Sequence, residues 1–156
     1  MSELALGAPA PDFELAGADG PVKLADFKGK GLVVYFYPKD DTSGCTKEAQ
    51  EFTALAADFA KAGVALLGVS KDSIASHAKF TAKYELAVPL ASDPEGAMIE
   101  GYGAWVEKNM YGRKYMGIER STYLIDAEGK LVRIWRKVKV PGHAAEVLKA
   151  AQALQA

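Results

Sequence analysis

Cysteine is nearly missing from this 156-residue chain; Cys45 is the single one, so no internal disulfide can staple the fold. Histidine is almost as scarce, and His77 and His143 stand too far apart in sequence to suggest a metal-ligand spacing. No apolar run approaches the roughly 18 residues of a membrane span. The N-terminus, Met1-Ser-Glu-Leu-Ala-Leu-Gly-Ala-Pro9, lacks a basic start followed by an apolar stretch, so no leader is expected. Nor does either charge dominate: 19 Lys and Arg face 20 Asp and Glu. No dense basic tract offers a footprint for nucleic acid or an anionic membrane. What remains is a cytoplasmic protein whose partners are small molecules or other proteins, with no metal expected.

With 49% apolar and 25% charged residues, the chain has the balance of a single domain over residues 1–156. Leu32-Val-Val-Tyr-Phe-Tyr37 is a β-branched and aromatic run closed by Pro38, which reads as a central strand buried on both faces. Ala49, Phe52, Leu55, Ala56 and Phe59 recur at helical spacing up to Gly63, so one helix is expected from Cys45 onwards. Val64–Val69 then completes a βαβ unit with parallel strands. A helix over Asp72–Tyr84, a short extended piece at Val88–Leu90 and a helical turn at Met98–Tyr102 follow. Ser121–Ile125 and Leu131–Trp135 flank the turn-forming Asp126-Ala-Glu-Gly129 as an antiparallel hairpin, and a helix from about Ala144 to Leu154 closes the chain. This order predicts an α/β, thioredoxin-like sandwich, with helices flanking a central mixed sheet.

Cys45 stands where an apolar strand gives way to a helix, in Tyr37-Pro-Lys-Asp-Asp-Thr42-Ser-Gly-Cys45-Thr-Lys-Glu48. Unpaired N–H groups and the positive end of the helix dipole favour a thiolate there, lowering its pKa from about 8.5. A drop of about 2 units would make the thiolate dominant at pH 7, a gain of little more than tenfold in its population. Any larger acceleration has to come from positioning and from stabilising a leaving oxygen. Thr42, three residues before the sulfur, offers a hydroxyl, and Gly44 leaves room for a substrate to approach the backbone.

Pro38-x-x-x-Thr42-x-x-Cys45 resembles the active-site signature of the peroxiredoxins, and most nearly that of the bacterioferritin-comigratory or PrxQ branch. The likeness extends through Ala8–Phe13, Leu67–Ser70, Glu107–Gly112 and Gly117–Thr122, nearly the whole chain. The resemblance implies a cofactor-free thiol peroxidase acting on hydrogen peroxide and small organic hydroperoxides. It implies that Cys45 is the peroxidatic nucleophile, that Thr42 and Arg120 are catalytic, and that Pro38, Gly44 and Glu48 shape the substrate site. Glu48 is expected to orient Arg120; Arg113, Arg133 and Arg136 are the other available cations.

Members of this branch often carry a resolving cysteine, but Gln50 and Thr81 occupy the expected places here, and Ser43 stands where proline is common. The resemblance therefore implies a one-cysteine cycle in a monomer, with the sulfenic acid on Cys45 reduced by an external thiol: thioredoxin, glutaredoxin or glutathione. Thioredoxin-like disulfide exchange would need a second cysteine near Lys47 or Glu48. A redox-sensing binding protein with little turnover is the alternative from another class. Trp105, Tyr111 and Tyr115 are expected as loop aromatics that pack on the fold or rim the pocket. Thr42 is also a candidate helix cap, His77 and His143 read as surface or capping groups, and Asp40 and Asp41 as turn acids serving the backbone and the dipole.

Overall fold

In the computed structural model, which describes residues 4–154, the chain builds nine strands and five α-helices. The strands are β1 (Glu14–Gly17), β2 (Gly20–Lys23), β3 (Gly31–Phe36), β4 (Val64–Ser70), β5 (Leu90–Ser92), β6 (Trp105–Met110), β7 (Arg113–Ile118), β8 (Ser121–Ile125) and β9 (Leu131–Trp135). The helices are α1 (Ser43–Ala54), α2 (Ala56–Lys61), α3 (Ile74–Tyr84), α4 (Ala97–Gly101) and α5 (His143–Ala153). Seven strands form one mixed sheet in the order β2-β1-β5-β4-β3-β8-β9. Its centre, β3-β4-β5, is parallel, while β8 runs antiparallel to β3.

The continuous apolar run of β3 has the expected cause: both of its faces are covered. Val33, Tyr35 and Tyr37 point into a core shared with Ala49 and Phe52 of α1, Phe59 of α2, Phe80 of α3 and Val147 of α5. Leu32, Val34 and Phe36 point the other way, against Phe13, Met98 and Ile99 of α4, Tyr102 and Tyr123. The sheet thus separates two cores, and the α1 side holds the sulfur.

Several expectations need correction. The helix after Cys45 breaks at Leu55, whose φ of −104° and ψ of 4° leave the helical range, so α1 and α2 are separate. A periodic apolar face survives such a break, which is why spacing alone misses it. The N-terminal hairpin β1–β2 escaped notice because its residues are short and half exposed, yet β1 extends the main sheet by pairing with β5. The segment carrying Trp105, Tyr111 and Tyr115 is not a loop but the separate hairpin β6–β7. Tyr111 is 99% exposed at its turn.

Gly68, in the middle of β4, makes room for Tyr35. A Cβ there would lie 2.9 Å from both Cζ and Oη of Tyr35 and 2.8 Å from Leu90 Cδ2. Gly68→Ala is therefore expected to cost about 1–3 kcal/mol as an overpacked core. Urea unfolding checks this, and an unchanged midpoint would show that the ring yields freely.

Candidate active site

Strand register decides where the site forms. Phe36, the last residue of β3, is paired with Ser121, the first of β8, so Arg120 stands beside the point where the chain leaves β3 for α1. The intervening segment turns at Asp41, with φ +59°, and enters α1 through an extended Thr42 whose carbonyl accepts the Thr46 N–H at 2.8 Å. Cys45 lies in the first turn of α1 and is 1% exposed, its side chain within the core of Tyr35, Tyr37 and Phe52. The chain's one free thiol is thus held against the protein interior.

Arg120 divides its guanidinium between two neighbours: Nη2 donates to Cys45 Sγ at 3.3 Å and Nη1 to Glu48 Oε1 at 2.7 Å. Glu48 reaches the same cation because residues three apart share a helix face. Its carboxylate is almost sealed, and burial pushes its pKa up to about 7, against the pull of the Arg120 charge and hydrogen bond. Burial works against the charge on Arg120, but Glu48 and Cys45 outweigh it and hold the guanidinium charged more firmly than usual. A planar fork suits this double duty better than an ammonium.

Gly44 also makes room within the site itself. A Cβ at that position would sit 3.1 Å from Arg120 Nη2, so the missing side chain accommodates the guanidinium. Thr42 does not cap α1 with its side chain; its hydroxyl donates to Lys39 O at 2.9 Å and closes the turn before the helix. Pro38 lies exposed in that turn. The other arginines point elsewhere: Arg133 to Glu146 at 3.5 Å, Arg136 to Glu119 at 3.8 Å, and Arg113 outward at the tip of the β6–β7 hairpin.

Further residues around the site were not anticipated. Tyr35 is fully buried with no partner for its hydroxyl among the described residues, and its pKa is raised by burial and then by the Glu48 and Cys45 charges. Period-two alternation with Tyr37 was the only available hint. Lys108 crosses Gly117 with Cδ 3.3 Å from where a Cβ would be, and burial followed by the Arg120 charge lowers its pKa. Neither histidine is at the surface. His77 is 3% exposed beside Asp40, and His143 is 7% exposed with Nε2 2.8 Å from Thr122 Oγ1. Burial lowers the pKa of His143 to about 4. Asp40 and Asp41 also reach well beyond their own turn, to α3.

Two substitutions test this arrangement. Gly44→Ala should displace the Arg120 fork and slow oxidation of Cys45 by peroxide about tenfold or more, measured in a single turnover. For Glu48, the ordinary carboxyl value is 4.5 and the folded value about 7. Between these the folded state keeps a proton that the unfolded chain has released. Its contribution to stability is therefore full below about 4.5 and is lost as pH rises through about 7. Glu48→Gln abolishes that loss, so its melting temperature should gain on the wild type across this interval; a constant difference would refute the shift.

Comparison with known proteins sets the chain among relatives of similar sequence and fold. The AhpC/TSA family model matches residues 6–134. A putative peroxiredoxin bcp of Coxiella burnetii is 51% identical over 144 residues, covering 92% of this chain and 95% of the relative. Peroxiredoxin Bcp of Bacillus subtilis is 50% identical over 145 residues, 92% of each protein. A solved structure of the Xanthomonas campestris bacterioferritin comigratory protein, studied for its alkyl peroxide reduction activity, superposes with a TM-score of 0.90 at 47% identity, covering 98% of both chains. With the thioredoxin-like sandwich, the buried cysteine at a helix entrance and these relatives all in agreement, the chain belongs to the AhpC/TSA family, as a peroxiredoxin of the bacterioferritin-comigratory (PrxQ) branch and hence a thiol peroxidase.

Proposed function

We propose that Cys45 is the nucleophile of this thiol peroxidase and that it runs a one-cysteine cycle completed by a thiol on another molecule. The observation that carries this is the Arg120 guanidinium 3.3 Å from Cys45 Sγ. A cation at that distance, together with the N–H groups of the first helical turn, sets donors and positive charge beside the sulfur and the peroxide oxygens it meets. The thiolate attacks one peroxide oxygen, the S–O bond forms as the O–O bond breaks, and the leaving hydroxide or alkoxide takes up a proton as water or alcohol. Cys45 is left as a sulfenic acid. One external thiol then condenses with it, releasing water and forming a mixed disulfide, and a second displaces Cys45 as a thiol.

Hydrogen peroxide and small organic hydroperoxides fit a sulfur this enclosed. Thr42, Pro38 and Gly44 belong to the proposed substrate loop, with Glu48 holding Arg120 from behind. The sequence contains no second cysteine to resolve the sulfenic acid internally. Thioredoxin, glutaredoxin and glutathione are the proposed reductants, and a monomer in the reducing cytoplasm is the proposed form.

One equivalent of hydrogen peroxide, followed by a sulfenic-acid-trapping reagent and intact mass measurement, should give a single adduct on Cys45. Cys45→Ser should abolish both the adduct and peroxide turnover. Steady peroxide loss by the Ser variant would end the proposal. Stoichiometric oxidation of the wild type, with no turnover under any of the three reductants, would favour a redox-sensing protein instead.

A further inference from the structure

The two oxygens of Glu48 have unequal surroundings. Oε1 accepts Arg120 Nη1 at 2.7 Å, while Oε2 is buried with no hydrogen-bond partner among the described residues. The Glu48 side chain is 1% exposed and that of Arg120 17%. An ionised carboxylate spreads its charge over both oxygens, so a charged Glu48 leaves one of them unanswered in the interior. A carboxylic acid with its proton on Oε2 keeps the Arg120 bond through Oε1 and buries only a neutral hydroxyl, a far smaller cost. No other group facing α1 supplies the missing counter-charge. Tyr35 from β3 and His143 from α5 are held neutral, the phenol raised by burial and then by the Glu48 and Cys45 charges, the imidazole lowered by burial to about 4. Glu51, on α1 itself, adds negative charge. Lys108 of β6 feels Arg120, Glu119 and Cys45, and Glu48 is not among the charges acting on it.

The sulfur draws on the same guanidinium, accepting from Nη2 at 3.3 Å. Peroxide reduction by a thiol begins with a thiolate and ends with a neutral sulfenic acid. With Glu48 ionised throughout, two anions would face one guanidinium before the reaction and one anion after it, in a site nearly closed to water. Like charges gathered in such a site do not both ionise readily, and one of the pair keeps its proton.

We propose that Glu48 and Cys45 carry a single negative charge between them, which lies on the sulfur when it meets peroxide and passes to Glu48 as the sulfur is oxidised. The step balances: thiolate, Glu48 carboxylic acid and a hydroperoxide ROOH give sulfenic acid, Glu48 carboxylate and ROH. The S–O bond forms as the O–O bond breaks, the leaving oxide takes up one proton and Glu48 gives up one. Arg120 therefore has an anionic partner at every stage, first at Nη2 and then at Nη1, and its charge is never left alone in the interior. Glu48 acts through Arg120 as a positioning residue, free of full charge while the sulfur needs the cation and charged once it does not. The inference rests on the reading of Cys45 as the nucleophile.

The test is infrared difference spectroscopy on the full chain at neutral pH, before and after one equivalent of hydrogen peroxide. Oxidation of the wild type should remove the C=O stretch of a protonated carboxylic acid and bring up carboxylate stretches in its place. Glu48→Gln should lack both changes. Cys45→Ser, which keeps the carboxyl but has no thiolate to hold it protonated, should show no acid band to lose, and with the wild type it decides the matter even where the Gln variant folds poorly. A pH indicator gives a second measure, because the wild type should take up almost no net proton as its sulfur is oxidised. If Glu48 merely braces Arg120, the carbonyl region of the wild type stays silent. That silence, an acid band that survives in Glu48→Gln, or net uptake of about one proton per sulfur overturns the shared charge. Absence of a sulfenic adduct on Cys45 in the same wild-type sample would instead overturn its assignment as the nucleophile.

Discussion

A single guanidinium shared between a sulfur and a carboxylate is the contact on which the site depends. Arg120 joins α1 to the β7–β8 junction, and only its planar fork lets one cation face Cys45 while being held by Glu48. A lone buried charge would be costly, and a buried carboxylate beside it limits that cost only while both are well placed. The surroundings follow from this requirement. Gly44 clears space for the fork, the β3–β8 register brings Arg120 to the end of the central strand, and the aromatic core behind Cys45 leaves the sulfur little freedom.

The same layout explains how ionised groups are tolerated so close to a hydrophobic core. Most of the deeply placed polar side chains near the site act in pairs or small networks: Glu48 with Arg120, Asp40 with His77 and Tyr37, and Thr122 with His143. The exceptions among the described residues are the Tyr35 hydroxyl, one oxygen of Glu48, the Thr46 hydroxyl and Glu119 Oε1, each next to Cys45 or Arg120 in sequence or coupled to them in charge. Unsatisfied polarity concentrated at a reactive centre, rather than spread through the core, is a pattern seen where function competes with packing.

Legibility from sequence followed a physical divide. Signals carried by neighbours in the chain were plain: the apolar run of β3, the turn tetrad between β8 and β9, and the strand-to-helix setting of Cys45. The Arg120 and Glu48 partnership was accessible only through family resemblance, because no local pattern shows which of several arginines a strand pairing will deliver. What stayed hidden depends on distant contacts. His77 looks like a surface group on an amphipathic helix until Asp40 and Ala91 are folded against it, and nothing near Gly44 in the chain shows that Arg120 lies against it. The β6–β7 hairpin was missed for another reason: it stands apart from the main sheet and is half exposed, so it lacks the buried alternation that marks a strand.

The pairing of β3 with β8 has a consequence for the protein's birth. Cys45 and Arg120 are 75 residues apart in sequence, so their contact forms only when distant parts of the chain meet. A ribosome-bound chain exposes its cysteine long before the arginine has been made, and until β8 docks the thiol lacks that partner. The meeting of sulfur and guanidinium is thereby absent from the nascent chain and arrives only with the completed sheet.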